Sequence, residues 1–158
     1  MLKYDIYDAP IGRILVIVSK KGVCRVELFE ENWPAYHSLQ RDEIACREVI
    51  NQLSEYFAGK RKIFDLSLDI QGTDFRKQVW KSLSDIPYGK TLSYKQVAEK
   101  IGNPKAVRAV GQANKANLLP IIIPCHRVIG NNGKLVGFAG DKIDVKRYLL
   151  KHEGFLID

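Results

Sequence analysis

Hydrophobic and polar positions alternate along the first thirty residues, and then the period changes. Leu2-Lys3-Tyr4-Asp5-Ile6-Tyr7 alternates as a half-buried strand does. Pro10-Ile11-Gly12 turns the chain, Arg13 to Ser19 is strongly apolar, and Lys20-Lys21-Gly22 makes a second turn before a third strand from Val23 to Phe29. From Asp42 to Phe57 the apolar residues Ile44, Ala45, Val49, Leu53, Tyr56 and Phe57 recur at helical spacing, and Gly59 ends the run. Ile63 to Ile70 alternates once more, as an edge strand or an extended linker. Gln71-Gly72 then marks a domain boundary, dividing residues 1–71 from 72–158. The first part reads as a small antiparallel sheet plus a helix.

The second part is mostly helical. Phe75, Val79, Leu83 and Ile86 share one face of a helix over Asp74 to Ile86, and Trp80 widens that face into a core stripe. Ser93 with Gln96 three residues on is a capping box, predicting a helix that runs to Ile101. Gly102 ends it, Asn103 is placed to cap the next helix, and Pro104 suits that helix's first turn. Two short helices, the second from Pro104 to Lys115, form a helix-turn-helix or simply two packed helices of an ordinary domain. The second carries Lys105, Arg108 and Lys115 beside the small residues Ala106, Ala109, Gly111 and Ala113. Small residues allow close approach to a nucleic-acid backbone, and basic ones supply phosphate contacts. Ile121, Ile122 and Ile123 read as a short strand buried on both faces, since a continuous β-branched run suits one. Pro124 breaks the ladder and delivers Cys125 at the strand end with His126 beside it, an arrangement fit for a nucleophilic thiol.

Charge separates the two parts further. The chain of 158 residues carries +7 overall. Residues 1–72 hold ten Lys/Arg against eleven Asp/Glu, whereas residues 73–158 hold fifteen against seven. A basic half beside a neutral half suits a polyanionic partner such as nucleic acid, or else a merely solvated surface. No stretch is long and apolar enough to span a membrane, and the first residues do not read as a secretory signal. Cys24, Cys46 and Cys125 lack metal-site spacing, and an odd count argues against a disulfide scaffold. The expectation is a reducing, intracellular setting, cytoplasmic or (in a eukaryote) nuclear, with no membrane, no metal and no cofactor. Cys24 and Cys46 are expected as buried free thiols, with a pair between them left open.

Pro124-Cys125-His126-Arg127-Val128 resembles the active-site signature of the O6-alkylguanine-DNA alkyltransferases, which take an alkyl group from guanine onto their own cysteine. The resemblance extends through Gly72-Thr73-Asp74-Phe75, Val79-Trp80, Ile86-Pro87-Tyr88-Gly89, Ser93-Tyr94, Gly102-Asn103-Pro104, Arg108-Ala109-Val110-Gly111, Asn117, Gly137-Phe138-Ala139-Gly140 and Leu149 to Gly154. It covers residues 72–154 closely and the first part in outline. It implies a ribonuclease-H-like α/β domain, structural in role, followed by a DNA-binding and alkyl-transfer domain with a winged-helix-like helix-turn-helix. A single-turnover monomer is implied, bound through its second helix to the minor groove of duplex DNA containing O6-alkylguanine.

The resemblance also assigns roles. Cys125 is the nucleophile, His126 its base, and Glu153 the carboxylate that orients His126. Tyr94 helps extrude the base and protonates guanine N3. Arg108 enters the duplex in place of the flipped base, with Lys105, Ala109, Gly111 and Lys115 against the DNA. Asn117 ties the turn before the cysteine; Val128, Phe138, Ala139 and Gly140 line the base pocket. A free thiol with pKa ~8.5 is mostly protonated at neutral pH, so something must draw its proton away. Neighbours on an extended chain project to opposite sides, so His126 is expected to act through a bridging water. Two places depart from the family pattern. Phe138-Ala139-Gly140-Asp141 stands where Tyr-Ser-Gly-Gly is common, and Gln112 follows Gly111 where a second small residue is frequent. Two rivals are a lesion binder without chemistry, against which Cys125 argues, and a cysteine hydrolase, in which the Cys and His normally lie far apart in sequence.

Overall fold

The alternating segments at the start of the chain build a meander. In the computed structural model, which describes residues 1–135 and 143–155, the chain divides into two compact units, Met1–Gln71 and Gly72–Asp158. In the first, β1 (Lys3–Ala9) pairs antiparallel with β2 (Gly12–Val18), from Lys3 opposite Val18 to Ala9 opposite Gly12. β2 pairs antiparallel with β3 (Val23–Glu27), with an irregularity at Ile17/Val18. A two-residue strand, β4 (Gln40–Arg41), adds to β1 in parallel, giving the order β3-β2-β1-β4. The apolar run Ile14–Val18 is buried throughout, as the central strand requires. Helix α1 (Arg47–Phe57) buries Val49, Leu53 and Tyr56, while the Phe57 ring stacks on Tyr7 with centroids 6.2 Å apart.

One expectation for this unit is corrected. The helix begins at Arg47, not Asp42. The Asp42 carboxylate accepts from the backbone N–H groups of Ile44 and Ala45 at 3.1 and 3.0 Å, a local turn that competes with helix, and Ile44 is left 74% exposed. Residues 63–70, open to edge strand or linker, run as an extended linker that makes one parallel bridge, Leu68 to Val23. That crossing is close: a Cβ on Gly22 would lie 2.2 Å from the carbonyl oxygen of Ser67, so only glycine fits there. The 3-10 segment Glu30–Tyr36 and strand β4 carry no periodic signal in the sequence.

In the second unit α2 (Asp74–Ser84) is capped by Thr73, whose hydroxyl accepts from Arg76 N–H at 3.2 Å. Trp80 is buried and donates its indole N–H to the Ala113 carbonyl at 2.8 Å, tying α2 to α4 (Val107–Lys115). Between them α3 (Tyr94–Lys100) starts with the full capping box: Gln96 N–H donates to Ser93 Oγ, and Ser93 N–H donates to Gln96 Oε1. α3 and α4 pack as a helix-turn-helix on α2. α4 starts three residues later than expected, because Ala106 N–H closes a turn on the Asn103 carbonyl at 2.9 Å. Asn103 is therefore not the cap, and Lys105 precedes the helix.

The isoleucine run is buried but is a turn, not a strand. Ile123 N–H donates back to Leu119 O at 2.8 Å, and Ile121 takes φ 75°, costly for a β-branched residue. The chain continues as a 3-10 segment, Cys125–Arg127, and then β6 (Val128–Ile129), which pairs in parallel with β5 (Leu92–Ser93). Helix α5 (Ile143–His152) packs on the 3-10 segment. No described helix is long and apolar enough to cross a membrane.

Candidate active site

Cys125 opens the 3-10 segment, so it and His126 are not neighbours on an extended chain as the sequence suggested. Its position is held from behind by Asn117. That side chain donates from Nδ2 to Ile123 O at 2.8 Å and accepts at Oδ1 from Leu119 N–H at 2.9 Å, bridging both sides of the strained turn. Asn114 of α4 donates to the Cys125 carbonyl at 3.4 Å. Cys125 is 4% exposed. Burial pushes its thiol up to about 11, against the opposing pull of Asn117 and of the Lys146 ammonium. The resting sulfur is thus a neutral thiol, and a proton must leave as it reacts.

His126 is fully buried, and its Nε2 lies 2.7 Å from Oε2 of Glu153. Glu153 follows α5, and its oxygens also accept from Arg127 Nε at 2.8 Å and Nη2 at 3.0 Å. Burial alone would raise this carboxyl; the bonds from His126 and Arg127 outweigh it and hold the group well below the usual carboxylate range. Glu153 is therefore an acceptor only, and His126 Nε2 carries the hydrogen. Burial lowers the imidazole's own proton affinity, Glu153 opposes that, and Arg127 and Lys146 reinforce it. His126 is neutral, and its Nδ1 has no partner among the described residues.

Tyr94 starts α3 half-buried, with its ring 4.0 Å from where a Cβ on Gly111 would sit. Burial raises its phenol to about 12, with Cys125 adding to the rise and a bond to Asn114 opposing it. Lys146 Nζ lies 5.8 Å from the Tyr94 ring centroid. Val128 is fully buried beyond the cysteine. On α4, Arg108, Ala109, Gln112 and Lys115 are exposed on one face, while Val110, Ala113 and Asn114 face the core; Lys105 is exposed just before the helix. Phe138, Ala139 and Gly140 lie outside the described residues.

The structure thus gathers Cys125, His126, Glu153, Asn117 and Tyr94 in one region, and sets the basic residues of α4 on a surface of the same unit. Sequence reasoning overlooked Asn114, Lys146 and the role of Arg127. Lys146, Leu149, Leu150 and Glu153 fall on one helical stripe, so a lysine in register with buried leucines was the available signal.

Fold and site together define a two-part protein, a ribonuclease-like unit ahead of a helix-turn-helix unit that buries a cysteine beside a histidine and a carboxylate. Residues 2–70 match the family model for the 6-O-methylguanine DNA methyltransferase ribonuclease-like domain, and residues 74–155 match that family's DNA-binding domain. The constitutive methylated-DNA–protein-cysteine methyltransferase of Bacillus subtilis is 43% identical over 155 residues, covering 95% of this chain and 94% of that protein. The crystal structure of Mycobacterium tuberculosis O6-methylguanine methyltransferase superposes with TM-score 0.90 at 44% identity, covering 97% of this chain and 93% of the other. A structure of Mycobacterium tuberculosis OGT in complex with DNA gives TM-score 0.88 at 43% identity, covering 96% and 92%. This chain belongs to the O6-methylguanine DNA methyltransferase family.

Proposed function

We propose that this protein takes the alkyl group from O6 of guanine in duplex DNA onto Sγ of its own Cys125, once per molecule. The observation that carries the reading is the buried Glu153–His126 pair beside Cys125, with His126 Nδ1 unpartnered among the described residues. The thiol proton passes through a bridging water to Nδ1, and Glu153 balances the imidazolium charge. The S–C bond forms as the C–O6 bond breaks, and the electrons of that bond leave with guanine. Tyr94, a phenol too weak an acid to ionise at neutral pH, donates its proton to guanine N3 and regains one from the imidazolium through solvent. A neutral purine departs more readily than an anion. The product is a thioether, which has no route back.

The target atom lies inside the base stack, so the base must rotate out at a cost of a few kcal/mol. The exposed basic face of α4 and the turn before it support a minor-groove contact: Arg108 fills the gap left by the base, Lys105 of the turn and Lys115 meet phosphates, and Ala109 and Gly111 allow close approach. Val128 borders the pocket for the flipped base. The first unit is a structural partner. The protein acts as a monomer, without cofactor or metal, in the cytoplasm or, in a eukaryote, the nucleus.

Incubation with duplex DNA containing one O6-methylguanine, followed by intact-mass measurement, tests the reading. One added methyl group in the native protein and none in Cys125→Ser is expected. Tight binding to lesion DNA with no change in mass would overturn it and leave a lesion-binding protein.

A further inference from the structure

The guanidinium of Arg127 is fully committed inside the second unit. Its Nε donates to Glu153 Oε1 at 2.8 Å, its Nη2 to Oε2 at 3.0 Å, and its Nη1 to the Ile86 carbonyl just beyond α2 at 2.7 Å. Its carbon also lies 5.6 Å from the Tyr88 ring centroid. Both carboxylate oxygens are therefore pinned by one planar fork that is itself anchored to backbone, and the same Oε2 receives His126 Nε2 at 2.7 Å. A lysine, a single point charge, cannot reproduce that geometry.

We propose that Arg127 is a positioning residue of the transfer reaction, holding Glu153 so that His126 is fixed with Nε2 protonated and Nδ1 as the proton acceptor. The inference rests on the alkyl-transfer reading above and adds a residue that acts through two others. A buried carboxylate alone beside an imidazole favours the imidazolium, which has no lone pair to offer the thiol. The Arg127 charge offsets Glu153, so the imidazole stays neutral until the thiol proton arrives. Among the described residues the charged groups acting on His126 are Glu153, Arg127 and Lys146. Glu153 favours the imidazolium; Arg127 from its own segment and Lys146 from α5 oppose it. Cys125 adjoins it as a neutral thiol, and Tyr88 reaches the cluster through Arg127 and Glu153. α2, packed on the same segment, buries only the uncharged Val79, Trp80, Ser82 and Leu83.

The test is the single-turnover rate of methyl transfer across about pH 5.5 to pH 9, where a histidine base titrates, for native protein, Arg127→Gln and Arg127→Lys. In Arg127→Gln the acid limb should move alkaline by about one pH unit or more, with the rate recovering toward native at high pH. In Arg127→Lys the limb should stay near its native place while the rate falls at every pH. A uniform loss in Arg127→Gln with the limb unmoved is what a merely structural role gives, and it would overturn the proposal. Nitrogen chemical shifts of His126 in the native protein provide a second readout that needs no folded variant. A protonated Nε2 and bare Nδ1 near neutral pH are expected; the opposite tautomer, or an imidazolium, would overturn the proposal. Absence of methyl transfer by the native protein would instead sink the alkyl-transfer reading, and the tautomer measurement would still judge the role of Arg127.

Discussion

Cys46 and Cys125 are both buried, one in each unit, and both are protonated at rest, yet only one is equipped to react. Burial drives the Cys46 thiol up to about 12, and its charged neighbours Asp5 and Asp42 push it further from ionising. Cys125 stands at about 11 with neighbours that pull the other way, Asn117 and the Lys146 ammonium, and a neutral histidine follows it in sequence. The buried polar groups of the two units differ in the same sense. In the first, Gln52 spends its amide on the Asp65 backbone at 2.9 Å in both directions, and Asp5 accepts from Ile6 N–H and Arg41. Those two groups close on themselves and fix the chain, and the atoms this unit leaves without a partner among the described residues, Arg25 Nε and Trp33 Nε1, are N–H donors that accept no proton. In the second unit the network of Arg127, Glu153 and His126 leaves His126 Nδ1 without a partner among the described residues, on the residue that follows Cys125. Burial alone does not mark a reactive cysteine; an open proton acceptor on the next residue does, which the unpartnered donors of the first unit are not.

The largest effect that would break this contrast is on the base. His126→Gln should slow methyl transfer by about 10²–10⁴-fold, the usual worth of a general base, whereas Cys46→Ser should leave the single-turnover rate unchanged. Equal losses in both variants would erase the distinction. Next come the two structural amides. Gln52→Ala and Asn117→Ala should each cost about 1–3 kcal/mol in denaturant melts, by orphaning buried backbone groups. Only Asn117→Ala should also slow transfer, since it frees the turn that seats Cys125. Lys146→Met should slow transfer at neutral pH, because the ammonium favours the thiolate, and the loss should shrink as the pH passes about 8, where burial places the titration of Lys146 itself.

How much of this was legible beforehand follows from where each signal lives. The meander, the Trp80 helix and the capping box at Ser93 were readable because periodicity and capping are local. The Ile121–Ile123 run misled for a physical reason: a buried β-branched stretch reads as strand, but Asn117 and Leu119 draw it into a turn that Ile121 enters at positive φ. The late starts of α1 and α4 are turns closed by Asp42 and Asn103 that compete with the helix. Cys125, His126 and Glu153 were legible through the family signature. The grip of Arg127 on a carboxylate 26 positions away was not, because a long-range fork leaves no spacing in the sequence.

A smaller effect concerns pH and stability. His126 is neutral in the fold because its proton affinity is depressed there. The unfolded chain therefore binds more protons below about pH 6.5, and stability should fall as pH drops through that value, by at most about 1.4 kcal/mol per unit. Glu153, depressed as well, adds a further loss of the same sign only below about pH 4.3, the unfolded carboxylate value. Above about pH 6.5 both contributions are fully present. His126→Gln should flatten the first slope in urea melts and leave the second.

The most direct test of the contrast is to locate the methyl group. Duplex DNA carrying an isotopically labelled O6-methylguanine is reacted with the native protein, and the three cysteine peptides are separated and weighed. Label on the Cys125 peptide alone, at one per molecule, is the predicted result. Label on the Cys24 or Cys46 peptide, or shared among the three, would contradict the claim that an open proton acceptor, and not burial, selects the reacting thiol.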